Sequence, residues 1–135
     1  MPTKLKIGKL VVIGTGLIGG SIALAARRAW PSVRITGTPS RTAVMPAGML
    51  DHIEPDIVAL ARTSDLVVLG VPVTVMPGIM KTLAGAGATA LVTDVGSTKR
   101  GVMAAARDAG LHTFIGGHPM AGGERPGAGE ARADL

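Results

Sequence analysis

The apolar run Leu10-Val11-Val12-Ile13, broken at once by Gly14-Thr15-Gly16-Leu17-Ile18-Gly19, constrains this chain more than any other feature. Consecutive aliphatic residues without polar alternation predict a strand buried on both faces, the pattern of a parallel sheet. The stretch from Leu17 to Ala29 is rich in Leu, Ile and Ala and predicts a helix, which Trp30-Pro31 ends. The same alternation recurs downstream. Residues 33–37, 65–72, 90–95 and 113–115 read as strands. Residues 76–84 and 98–109 read as helices, and Gly110 terminates the second. Between Thr42 and Leu60 the pattern is mixed, with Pro46, Gly48 and Pro55 interrupting it. A short helix, a turn near Gly48 and a helical segment at 57–62 are expected there. Strands alternating with helices predict an α/β fold, a doubly wound and mostly parallel sheet covered by helices on both faces. Crossovers of this kind are right-handed, and ligands bind beyond the carboxyl ends of the strands. Gly14, Val71-Pro72, Val95-Gly96-Ser97 and His118 all fall at that edge.

The chain's 135 residues suffice for one domain with a hydrophobic core. That core has little aromatic material: one Trp, one Phe and no Tyr. It must be built from Val, Ile, Leu, Ala and Met. There are no cysteines, which excludes disulfides, thiolate catalysis and Cys-based zinc sites and is compatible with a cytoplasmic protein. No apolar run approaches the ~20 residues that span a bilayer. The net charge of +5 suits a soluble basic surface or an anionic ligand. Nucleic acid is disfavoured, because the basic residues are scattered and stacking aromatics are missing.

Gly14-Thr15-Gly16-Leu17-Ile18-Gly19 fits G-x-G-x-x-G between a predicted strand and a predicted helix. In the dinucleotide reading Gly14 permits the tight turn, Gly16 admits the pyrophosphate, and Gly19 allows close helix–strand packing. The helix N-terminus then offers unpaired N–H groups to the phosphates. The competing reading is a packing turn without a ligand. An NAD site usually has an Asp or Glu after the second strand. Here that region reads Gly37-Thr38-Pro39-Ser40-Arg41-Thr42, with no carboxylate. Ser40 and Arg41 instead suit a 2′-phosphate, which favours NADP over NAD. The plain alternative for Arg41 is a solvated charge opening a helix.

At the other end of the chain, Gly116-Gly117-His118-Pro119-Met120-Ala121-Gly122 holds a histidine between glycine pairs. Imidazole is the side chain best matched to proton transfer near neutral pH. Glycines let a backbone and a ligand approach closely. Asp94-Val95-Gly96-Ser97-Thr98-Lys99 ends a strand and precedes a helix. On its own Ser97 reads as an N-cap and His118 as an ordinary loop histidine. Their shared sheet edge weakens both plain readings. Asp94 is read as ordering the Ser97 loop. Lys99 is either solvated or within reach of a phosphate or carboxylate.

Four stretches together resemble the prephenate and arogenate dehydrogenases of tyrosine biosynthesis. They are Gly14–Ala23 (GTGLIGGSIA), Ser64–Val73 (SDLVVLGVPV), Val92–Lys99 (VTDVGSTK) and Phe114–Glu124 (FIGGHPMAGGE). The first two occur in many NAD(P) enzymes; the last two, with Ser97 and His118 at their spacing, are more specific. The resemblance implies a Rossmann-type domain followed by a helical domain that makes a homodimer. That second domain has no counterpart before Leu135, so the expectation is a cofactor domain at 1–135. The activity implied is oxidative decarboxylation of prephenate or arogenate, with NADP, or alternatively NAD, as the cofactor. By the same resemblance His118 takes a hydrogen bond or proton from the substrate's ring hydroxyl. Ser97 orients that hydroxyl and the imidazole. Glu124 lines the substrate site, and Val71-Pro72 passes beside the nicotinamide. Gly123 stands where the family often has Ser or Thr.

Two readings from other classes remain open at this point. One is a non-catalytic nucleotide-sensing module; the other is a hydroxyacid- or imine-type reductase domain. Neither accounts for the Ser97 and His118 pair. His52, beside Asp51 and Glu54, suits a surface turn better than a metal site. His112 is expected on the surface, and Arg27-Arg28 at the exposed end of the first helix. Met45, Met49, Met76, Met80 and Met103 are expected to fill gaps in the core.

Overall fold

The computed structural model describes residues 6–39, 46–120 and 127–135. Among them run β1 (Lys9–Ile13), α1 (Leu17–Ala29), β2 (Arg34–Gly37), β3 (His52–Ile53), α2 (Ile57–Thr63) and β4 (Leu66–Leu69). These are followed by α3 (Met76–Gly85), β5 (Leu91–Asp94), α4 (Arg100–Ala109) and β6 (Phe114–Ile115). The strands form one sheet in the order β3-β2-β1-β4-β5-β6, and every described pairing is parallel. The chain therefore starts at the centre, winds outward through β2 and β3, then returns to build the other half from β4. This is the doubly wound α/β sheet that the alternating pattern predicts.

The strand residues divide by parity between the two faces, as a pleated backbone requires. Val11, Ile13, Val67, Leu69 and Val92 face α2, α3 and α4, where Met76, Met80, Leu83, Val102 and Ala106 close the core. Leu10, Val12, Ile35 and Val68 face the other way, against Ala23 and Ala26 of α1, Met49 and Ala128. Each fully buried aliphatic side chain in these layers contributes about 2 kcal/mol. The register places Ile13, Leu69 and Asp94 level with one another at the carboxyl ends of β1, β4 and β5.

Four details differ from the sequence expectation. The 3-10 turn Ala128–Glu130 belongs to the core: Ala128 is fully buried, and the Arg132 amide donates to the Ser21 hydroxyl at 2.9 Å. A glycine-rich composition hid this, because the contact needs small residues on both partners. His52 lies in the two-residue strand β3, which is too short for periodicity to reveal. Met103 is 43% exposed, whereas Met49, Met76 and Met80 are buried as expected. Helix α4 begins at Arg100, two residues after the predicted start. The turn at Gly48 is present, with φ of 82°. The short helix expected just after Thr42, and Met45 with it, lie outside the described residues.

Asp51 anchors the β2 edge. Its carboxylate accepts from the Ile35 amide at 2.8 Å and from Arg27 Nη2 at 3.0 Å. The Ile35 hydrogen bond, helped by Arg27, holds its carboxyl below the usual carboxylate range despite opposing desolvation. A depressed folded-state value means the contribution is complete above the unfolded-state value and fades as pH falls below about 4. Melting temperature should therefore fall as pH drops from about 5 to about 3, and less steeply in Asp51→Asn than in the parent. Parallel melting profiles for the two proteins would show that Asp51 has no such role.

Candidate active site

The glycine turn between β1 and α1 is shaped by close approaches that only glycine allows. Gly14 adopts φ of 92°, and a Cβ there would sit 2.7 Å from the Gly70 carbonyl and 2.9 Å from Val71 Cγ1. Gly19 lies against the Gly14 carbonyl oxygen, with no room for a side chain. Gly16 is different: nothing surrounds the position its Cβ would take. It is also the N-cap of α1, with no side chain satisfying the first-turn amides and no acidic residue in that turn. Two positions of the motif thus serve packing, while the third leaves an open approach to unpaired N–H groups.

Thr38, just after β2, fixes this turn from the neighbouring strand. Its hydroxyl accepts from the Gly14 amide at 3.1 Å, and its carbonyl accepts from the Thr15 hydroxyl at 3.4 Å. Thr15 is accordingly buried, and Leu17 and Ile18 are half-buried in the first turn of α1. Val71 and Pro72 follow β4, and Val71 meets the glycine turn beside the Gly70–Gly14 contact, while Pro72 is exposed. Ser40, Arg41 and Glu124 lie outside the described residues.

Ser97 and His118 both reach the carboxyl edge of the sheet. Ser97 is exposed in the segment between β5 and α4. It does not cap α4, whose N-cap is Lys99 without a side-chain hydrogen bond. Its hydroxyl is not committed to the helix in the way the N-cap reading required. His118 is exposed three residues past β6. Met120, two residues on, adopts φ of 42°, a left-handed conformation uncommon for a side-chain-bearing residue.

Asp94 connects the two segments. It is buried at the last position of β5, and its side chain is 0% exposed. One carboxylate oxygen accepts from the Gly117 amide at 3.1 Å; the other accepts from the Gly96 amide at 2.9 Å and pairs with the Lys99 ammonium. Lys99 is thus held by protein, not free for a ligand phosphate.

An open groove of about 480 Å³ runs along the α1 face of the sheet from Leu10 and Trp30 to His118 and Pro119. Its walls are mostly aliphatic and do not include the glycine turn, so they offer few donors to an anionic ligand. The strand carboxyl ends, which carry the half-buried Gly16 turn, Val71, Ser97 and His118, are the chemically equipped edge. Among the described residues no cluster of acidic and histidine side chains could hold a metal ion. Nor is any described helix long and apolar enough to cross a membrane.

A parallel sheet wound both ways from a central strand, with a glycine turn leading into the helix behind it, defines a Rossmann-type domain. The prephenate dehydrogenase nucleotide-binding domain family matches residues 22–135, and the chain belongs to that family. It is 35% identical over 135 residues to a prephenate dehydrogenase of Lactococcus lactis, covering 94% of this chain and 38% of that protein. Its fold is similar to a prephenate dehydrogenase of Aquifex aeolicus solved with hydroxyphenyl propionate and NAD+, with TM-score 0.82 and 28% identity. That superposition covers 97% of this chain and 48% of the other. A Synechocystis arogenate dehydrogenase aligns with TM-score 0.77 and 31% identity, over 92% of this chain and 45% of its own. The chain therefore spans less than half the length of these relatives.

Proposed function

We propose that this chain is the NAD(P)-binding part of a dehydrogenase that oxidatively decarboxylates prephenate or arogenate, with His118 and Ser97 as its catalytic residues. The observation that carries the reading is the joining of the Ser97 and His118 segments through Asp94, at the edge that also bears the open Gly16 turn. Family membership and the likeness to enzymes named for these substrates support it.

The turn fits a dinucleotide on physical grounds: an uncapped helix start, no first-turn carboxylate and free space over Gly16. Gly14, Thr15, Gly16, Leu17, Ile18 and Gly19 would hold the pyrophosphate, and Val71-Pro72 would border the nicotinamide. A nicotinamide held there would supply the acceptor for the hydride on the ring carbon that bears the hydroxyl. His118 takes the hydroxyl proton as the carbon–oxygen double bond forms. Loss of CO2 returns the bonding electrons to the ring, and His118 gives the proton back to the resulting phenolate oxygen. Ser97 hydrogen-bonds the hydroxyl and keeps the imidazole aligned. Aromatisation drives the reaction, so the residues chiefly position and polarise the reactants. Glu124 would line the substrate site. The work would take place in the cytoplasm, where such a cysteine-free enzyme needs no oxidising compartment.

Ser40 and Arg41 favour NADP, since no carboxylate follows β2 to meet a ribose hydroxyl. Fluorescence titration of the chain with NADPH and NADH tests this. Saturable binding is expected for NADPH, weakened about 10-fold or more by Arg41→Ala, with NADH little affected. Failure of both nucleotides to bind would sink the proposal, and equal losses for both would remove the NADP preference.

A further inference from the structure

The geometry points to Asp94 as the positioning residue that sets Ser97 against His118, with Lys99 as its charge partner. This rests on the catalytic reading of those two side chains and adds a third residue on which both depend.

The two backbone amides that Asp94 accepts belong to Gly96 and Gly117, the immediate chain neighbours of Ser97 and His118. One side chain therefore fixes the backbone next to each of two reactive groups that lie on different loops. The arrangement is tight. A Cβ on Gly96 would lie 2.9 Å from Asp94 Oδ2 and 2.7 Å from Val73 Cγ1. A Cβ on Gly117 would lie 2.7 Å from the Asp94 carbonyl oxygen and 3.1 Å from Thr93 Oγ1. The glycine before His118 thus lets the loop close down on the end of β5.

Only a carboxylate meets the demand. Three donors converge on Asp94: two amides and an ammonium. The isosteric Asn turns an NH2 toward at least one of them, leaving two donors facing each other inside a buried site. The full burial of the carboxylate explains Lys99, because an unpaired charge there would be strongly disfavoured. The Lys99 side chain is 30% exposed, so it reaches this position from the surface.

The test is Asp94→Asn in the active enzyme, with amide exchange and His118 imidazole resonances followed by NMR. The expected result is a kcat lowered between about 10-fold and about 100-fold, with the KM for dinucleotide within about twofold of the parent. Exchange at Gly96 and Gly117 should accelerate by about tenfold while Val11 and Val12 in β1 keep their protection, and the His118 resonances should shift. Unchanged kcat would overturn the inference, and so would a loss of protection that is uniform across the sheet. Should Asp94→Asn fail to fold, Lys99→Met carries the same test. It keeps the stem, and it should loosen Gly117 by about threefold, with kcat falling in parallel. Unaltered exchange and kcat in that variant would equally overturn the assignment. A control separates this from the underlying reading: if His118→Asn retains full turnover, the catalytic reading fails. If only the Asp94 and Lys99 variants do, the positioning role alone fails.

Discussion

His118→Asn should lower kcat by between about 10²-fold and about 10⁴-fold, the span expected when a general acid–base group is removed. Asn approximates the size and polarity of the imidazole but cannot accept and return a proton. Two other quantities should stay put. His118 is exposed, so melting temperature should move by no more than a surface substitution does, about 0.5 kcal/mol in stability. It also lies beyond β6, three strands from the β1 turn, so the dinucleotide dissociation constant should change by less than about twofold. Steady-state kinetics, a melting curve and a nucleotide titration on one variant measure all three. Turnover within about twofold of the parent would refute the role of His118. A large loss of nucleotide affinity would mean that His118 lines the dinucleotide site instead.

The strands and helices with strong patterns were legible in the sequence because their cause is local. Leu17–Ala29 is predicted and found with the same bounds, since Gly16 and Trp30-Pro31 punctuate it. The run at β1 reads as a strand buried on both faces, and Leu10–Ile13 are all buried; the runs at β4 and β5 read as strands and form them, with Leu91 of β5 left exposed. What escaped depends on contacts between distant parts of the chain. Strand β3 has two residues and exists only through its pairing with β2. The buried Ala128 owes its place to Gly20 and Ser21 on α1, where a Cβ on Gly20 would meet Ala131 at 3.1 Å. No local pattern marks an alanine for a core.

The same division runs through the site. His118, Ser97 and the glycine turn were visible as residue types in suggestive surroundings. Their linkage was not, because it passes through Asp94, whose partners lie at Gly96, Lys99 and Gly117. One signal was available: a carboxylate closing a strand that is otherwise suited to burial is costly unless it is fully paired. Thr38 escaped for a similar reason. The missing carboxylate after β2 drew attention to Ser40 and Arg41, while the hydroxyl that holds the glycine turn stood between them and the strand.

The glycine turn gives a prediction in which two substitutions of the same size part company. Gly19→Ala adds a methyl inside a helix, which by propensity alone would stabilise by about 1 kcal/mol. That methyl would be driven into the Gly14 carbonyl oxygen and to 3.1 Å from Val12 Cγ1, both fixed by the sheet. Overpacking against backbone costs about 1–3 kcal/mol and reverses the sign. Stability should fall, and dinucleotide binding should fall with it, because the turn must move to admit the methyl. Gly16→Ala adds the same methyl where no atom lies within 4 Å and where φ of −87° suits any residue. Its melting temperature should stay within about 2 °C of the parent. Its affinity for dinucleotide should nonetheless drop by about tenfold or more, because the methyl occupies the space through which the pyrophosphate meets the backbone. Melting curves and nucleotide titrations on the pair decide the matter. A Gly19→Ala protein as stable as the parent would contradict the packing described for α1. A Gly16→Ala protein that binds dinucleotide as tightly as the parent would remove the pyrophosphate from this turn and leave Gly14-Thr15-Gly16-Leu17-Ile18-Gly19 as a packing device alone.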